Sequence, residues 1–180
     1  MKQQLKNYSI QFIKEIIPVV AGILIALFID NWNAQRKDAA YIEQVFSSIN
    51  SELGETKNAI KENVPEQQAL IDALANKNAT IADIIRKSGG INIPSIKLST
   101  WKAVSNAKID LVSYKKMTSL STIEEHKELL KSKTEYLMGF LYSNLYETDS
   151  NKKELLKLLL QYIIQTEKTT LRYIEEFEKE

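Results

Sequence analysis

His126 is the chain's only histidine, and there is no cysteine. Those two facts close off most side-chain chemistry before any element is placed. A di-iron bundle needs two Glu-x-x-His pairs on separate helices, and one histidine cannot provide them. The His-Glu-x-x-His zinc motif needs a second histidine as well. Without cysteine there is no thiol nucleophile, no thiolate metal site and no disulfide. A Ser-His-Asp triad would have to recruit His126. That residue stands in Glu124-Glu125-His126-Lys127-Glu128, a charged helical run that predicts a solvated face. Gly89-Gly90 lacks the following Lys-Ser/Thr of a phosphate loop. The expectation is a protein that is not an enzyme, with no catalytic residues, no metal and no cofactor.

What remains is the chemistry of contact. Gly22 and Ala26 are four residues apart and share a helix face, a small-xxx-small spacing that lets two helices approach closely in lipid. Asn33 continues roughly the same stripe and can donate hydrogen bonds across an interface. Just beyond lie Asp30, Asn31, Trp32, Arg36 and Lys37. As an interfacial collar, Trp32, Arg36 and Lys37 are explained by anchoring at the headgroups. Asp30, Asn31 and Asn33 fit a helix-packing site better, because polar groups so close to lipid are favoured when a partner helix satisfies them. Both readings stand on the sequence.

The element that positions these residues is the run Ile16–Ile29, which carries no charge. A bilayer core of about 30 Å takes about 20 helical residues. Extension back through Phe12 and Ile13 supplies most of the length, with Lys14 snorkelling and Glu15 at the edge. Tyr8 and Phe12 on one side, and Trp32 and Tyr41 on the other, fall where aromatic belts belong. Three rivals compete with a spanning helix. A buried core helix is disfavoured because the run is apolar on every side. A cleaved signal peptide lacks a small-x-small exit at Asp30-Asn31-Trp32-Asn33. An interfacial amphipathic helix lacks a polar face. Lys2, Lys6 and Lys14 ahead of the span, against Arg36 and Lys37 after it, favour a cytoplasmic N-terminus and a C-terminal domain outside.

The rest of the chain reads as helices. Five glycines and three prolines in 180 residues argue against sheets and tight turns, and 44% hydrophobic content can build a core. Residues 1–37 carry a net +3 and the remainder −2, within an overall +1. A near-neutral, slightly acidic domain lacks the footprint of a nucleic-acid binder. Ile42, Val45, Phe46, Ile49, Leu53 and Ile60 mark one helix face, with Glu52, Glu55 and Lys57 expected in water. That helix is predicted to continue the span and to stop at Asn63-Val64 ahead of Pro65. Pro65 then opens a second helix, with Leu70, Ile71, Leu74, Ile81, Ile84 and Ile85 inward, ended by Ser88-Gly89-Gly90.

Ile91–Leu98, split by Pro94, reads as an extended connector rather than a paired strand. Ser99 or Thr100 can cap a short helix bearing Trp101 and Val104, and Lys108–Val112 presents apolar residues to the core. Ser113 begins a long helix, unless the box Ser121-x-x-Glu124 starts or kinks it instead. Thr148-Asp149-Ser150 caps the last helix. The predicted fold is all-α: a transmembrane helix running into an antiparallel helical bundle. Residues 1–37 form the cytoplasmic tip, span and collar, and residues 38–180 the bundle domain.

Two segments carry a family resemblance. Val19-Val20-Ala21-Gly22-Ile23-Leu24-Ile25-Ala26-Leu27-Phe28-Ile29-Asp30-Asn31-Trp32-Asn33-Ala34-Gln35-Arg36 is similar to an anchor of the form V-V-x-G-I-L-I-A-L-x-I-x-N-W-N-x-x-R. Thr100–Val112 resembles a T-W-x-A-L helix followed by a short turn, with Val104 and Ala107 where leucine and glycine are commoner. In both, the chain resembles a family of uncharacterised small single-span inner-membrane proteins of didermal bacteria. The resemblance implies a bacterial inner-membrane protein with a helical domain in the periplasm, and it supplies no catalytic residues. The functional expectation is a membrane-anchored interaction protein, an accessory or scaffolding subunit. Its expected partners are the lipid bilayer and either a second copy in a homo-oligomer or another membrane protein. The alternative is an extracytoplasmic ligand-sensing bundle that signals through a partner.

Overall fold

The computed structural model describes the backbone of residues 2–180, and the side chains of residue 12 and of residues 14–180. The side chains of Lys2, Lys6, Tyr8 and Ile13, which enter the orientation and belt arguments, lie outside the described residues. The described residues form helices and no strand: α1 (Lys2–Ala73), α2 (Ile81–Lys87), α3 (Ser99–Ala107), a 3-10 turn (Ile109–Leu111), α4 (Tyr114–Asn144) and α5 (Ser150–Phe177). They divide into two compact units, residues 1–44 and residues 45–180.

In the first unit every large apolar side chain from Ile16 to Ile29 is at least 40% exposed. The reading of this run as a buried core helix is thereby excluded. Part of α1, near the N-terminus, has a mean hydropathy of 1.8 and none of its most apolar window is buried. It is long and apolar enough to cross a membrane.

The second unit is built on a seven-residue repeat. On α5, Lys153, Leu156, Leu160, Ile163, Glu167, Thr170, Ile174 and Phe177 are buried at alternating steps of three and four, and Ile164 and Thr166 are buried beside them. On α4, Leu120, Ile123, Leu130, Leu137, Leu141 and Asn144 are buried, with Lys127 and Thr134 half-buried in the intervening places. Ile49, Leu53, Thr56, Ile60, Gln67, Leu70 and Leu74 continue the pattern along α1 and just past its end. A 3.5-residue period keeps one seam facing its neighbours and gives shallow, left-handed packing.

α5 runs antiparallel to α4: Lys133 Nζ donates to Thr166 Oγ1 at 2.7 Å, His126 lies on Tyr173, and Ser119 donates to Glu180. It is antiparallel to α1 as well, with Phe46 beside Phe177, Lys61 paired with Glu175 and Gln67 bonded to Glu167. α1 and α4 are therefore parallel. The short connection between α4 and α5 forces an antiparallel pair. The chain between α1 and α4 instead travels back along the bundle before α4 begins.

That return is the connector over residues 91–98, and it lies along α1. Asn92 Nδ2 donates to Glu66 at 2.9 Å, the Lys97 amide donates to Thr56 Oγ1 at 3.0 Å, and Lys97 pairs with Glu55. Pro94, Ile96 and Leu98 are buried at every second position, as an extended chain with one covered side requires. Gly89 and Gly90, at φ +82° and +105°, turn the chain from α2 into it, a region where a Cβ is strained.

Several local expectations need correction. α1 does not stop before Pro65 but runs through it to Ala73. The proline forgoes one helical bond and crowds the preceding turn, at a cost of about 3 kcal/mol. Ile60, Gln67, Leu70 and Ile71, buried on one continuous face, hold the helix together across it. Pro65 itself is exposed. Pro65→Ala is accordingly expected to raise stability by about 2 kcal/mol, part of the gain being offset by a freer unfolded chain. Urea titration of both proteins checks it, and a destabilised variant contradicts this account.

The break falls later, over Leu74–Thr80, where Asn76 Oδ1 takes the Asn78 amide and Thr80 caps α2. Such local side-chain bonds compete with the helix. Neither Ser99 nor Thr100 caps α3 with its own side chain. Instead the Thr100 N–H and Oγ1 both donate to Glu52, at 3.2 and 3.0 Å, so a carboxylate of α1 that was expected in water serves that helix end. Ser121-x-x-Glu124 starts nothing, since α4 begins after its cap Ser113. Of the turn before α4, Val112 is buried but Ile109 is 41% exposed.

Candidate functional site

In the first unit, Gly22, Ala26 and Asn33 lie within about 40° of one another around α1 at 100° per residue. All three are exposed, and a Cβ built on Gly22 meets nothing within 4 Å. Asp30 and Lys37 extend the same stripe along the helix, whereas Trp32 stands about 100° and Arg36 about 60° from its centre, on the other side. There the Arg36 guanidinium lies 5.2 Å from the centre of the Trp32 ring. A cation over an indole face suits an amphipathic collar, with the ring's apolar body on one side and charge on the other. Asn31 is exposed on the opposite side of the helix from Gly22 and Asn33. The geometry thus brings Trp32 and Arg36 together and lays Gly22, Ala26, Asp30, Asn33 and Lys37 along one stripe.

In the second unit the structure reveals a polar junction that periodicity alone does not show. Glu167 on α5 is fully enclosed and Gln67 on α1 nearly so. Gln67 Nε2 donates to Glu167 Oε1 and to the Asn92 carbonyl, both at 2.8 Å, tying α1, α5 and the connector at one point. Burial pushes the Glu167 carboxyl up from its ordinary 4.5 to about 7, against the lowering effect of the Gln67 amide. Glu167 Oε2 and Gln67 Oε1 are both enclosed without a donor. Only the placement of both residues on the seven-residue repeat hints at this in the sequence.

Lys153 is also buried, and its Nζ donates to the carbonyls of Asn76 and Lys77 at 2.7 and 3.2 Å. It closes the break after α1 from the first turns of α5. Trp101, at 1% exposure, donates its indole N–H to Glu124 at 3.0 Å, fastening α3 to α4.

His126 departs from its expected solvated face. It is half-buried, its ring centre 4.9 Å from that of Tyr173, and Nδ1 is enclosed without a partner. Burial pulls its pKa below the ordinary 6.5, which favours the neutral ring. Among the described residues no group of three His, Cys, Asp or Glu side chains could hold a metal ion.

Neither a known protein family, nor a curated protein, nor a solved structure matches the chain. The functional reading therefore rests on the chemistry of these residues. The first unit presents an exposed apolar helix, and the second a bundle with a buried polar junction.

Proposed function

We propose that this chain is a membrane-tethered helical interaction protein, an accessory or scaffolding subunit that self-associates or docks on another membrane complex. The observation that carries the reading is the uniformly exposed run Ile16–Ile29 bearing a small-residue stripe that meets nothing in its own chain. Helices in lipid associate by close backbone approach and by interhelical hydrogen bonds. Gly22 and Ala26 supply the first, and Asn33 supplies the second. Trp32, Arg36 and Lys37 fix the depth of the helix at the headgroups, with Asn31 in the same collar, and Asp30 joins the polar end of the contact. The excess of lysine ahead of the run favours a cytoplasmic N-terminus with the bundle in the periplasm. The anchor resemblance supports an inner-membrane location. On this reading the chain has no catalytic role.

The natural chain contains no cysteine, so a single introduced thiol is unique. Gly22→Cys is expected to give an oxidative crosslink in native membranes, to a second copy or to one reproducible partner. Leu24→Cys, about 160° away around the helix, is expected to give several-fold less. Equal crosslinking from both positions, or none from either, would count against the packing face.

A further inference from the structure

The Gln67–Glu167 junction contains two acceptors without donors and a carboxyl group that can carry the missing hydrogen. We propose that Glu167 is held as the neutral acid and that its proton latches the 91–98 connector to the bundle. In this state Glu167 Oε2–H donates to Gln67 Oε1 while Gln67 Nε2 donates to Glu167 Oε1, closing a reciprocal acid–amide pair. The second Nε2 hydrogen is left on the Asn92 carbonyl, as observed. One proton satisfies both enclosed acceptors, and a buried polar group is stable only when it is so paired.

Deprotonation breaks the O–H bond, sends the proton to water and leaves a charge in an enclosed site. That charge is relieved by opening the junction. Opening separates Gln67 from the Asn92 carbonyl and loosens the connector, which is otherwise held to α1 near Thr56 and Glu66.

The charges on the surrounding elements are engaged elsewhere. Glu66 of α1 holds the Asn92 side chain, Lys97 of the connector pairs with Glu55, and Lys133 of α4 is held by Thr166 and Tyr162. Lys127 and Lys131 of α4 line the groove beside the connector, and Lys168 of α5 faces outward. Burial and the Gln67 amide alone set the Glu167 carboxyl near 7. Because that value is raised, the contribution of Glu167 to stability is fully present below 4.5 and is lost as pH rises through about 7.

The inference does not rest on the membrane reading. Hydrogen exchange of the full chain in detergent tests it, after correction for the intrinsic pH dependence of exchange. With the junction open at an ordinary carboxyl value, connector amides are expected to lose about thirtyfold protection between about pH 5.5 and pH 8. Glu167→Gln replaces the acid O–H by an amide N–H, keeps the reciprocal pair and is expected to remain protected throughout. Constant wild-type protection overturns the proposal, and so does an equal loss in Glu167→Gln. An infrared spectrum of the wild-type protein gives a second readout that needs no variant to fold. A protonated-carboxyl stretch at about pH 6 that fades by about pH 8.5 supports the latch, and its absence at about pH 6 overturns it.

Discussion

Replacing Trp101 with alanine is expected to destabilise the bundle by about 3–5 kcal/mol, enough to unfold a domain of ordinary stability. The side chain is among the largest in the core and is 1% exposed. Its removal loses the transfer free energy of the indole and leaves a cavity that α3, pinned at Thr100 by Glu52, cannot collapse to fill. It also removes the donor to Glu124. Trp101→Phe separates the two effects. It keeps most of the packing and loses the hydrogen bond, for an expected cost of about 1–2 kcal/mol. Urea unfolding of the full chain in mild detergent, followed by far-ultraviolet circular dichroism, measures both. A Trp101→Ala cost under about 1 kcal/mol would show that α3 is not part of the core, since even a modest cavity exceeds that figure.

If the apolar run is the anchor proposed above, two arginines placed in it abolish membrane association. Val20→Arg with Leu24→Arg places two guanidinium groups near the middle of the stretch, at about 2.5–3.5 kcal/mol each for insertion. Together they cost about 6 kcal/mol, or roughly four powers of ten in partition. The substitutions disturb no packing within the chain, because Val20 and Leu24 are 46% and 61% exposed. Alkaline extraction of membranes from cells producing each protein gives the measurement. The natural chain is expected in the pellet and the doubly substituted chain in the supernatant. Leu158→Arg, on an exposed position of α5, controls for added charge and should stay in the pellet. Retention of the doubly substituted chain would refute the assignment of this run as the anchor.

Much of the architecture is local and could be read directly. The uninterrupted run from Ile16 to Ile29, the caps at Ser113 and Asp149, and the stop at Ser88-Gly89-Gly90 all act within a turn or two of themselves. The three- and seven-residue steps of Leu120, Ile123, Leu130 and Leu137, and the four- and three-residue steps of Leu156, Leu160 and Ile163, mark the core face for the same reason. The stripe of Gly22, Ala26 and Asn33 was legible too, since helix geometry alone places it.

What tertiary structure decided is the fate of groups whose partners are far away in the chain. Glu167 and Gln67 are polar by type, yet they lie a hundred residues apart in sequence and are buried against each other. Glu52 leaves water for α3, and His126 goes under Tyr173. Pro65 ought to end a helix by its own chemistry, but burial on both sides of it outweighs the lost bond. The parallel course of α1 and α4 follows from a connector laid back along the bundle, which no local signal announces. Neighbours within a few residues set helix type, ends and apolar face, because those depend on backbone bonds and side chains one turn apart. Which polar groups can afford burial depends on what the rest of the chain brings to meet them, and only the folded bundle supplies that.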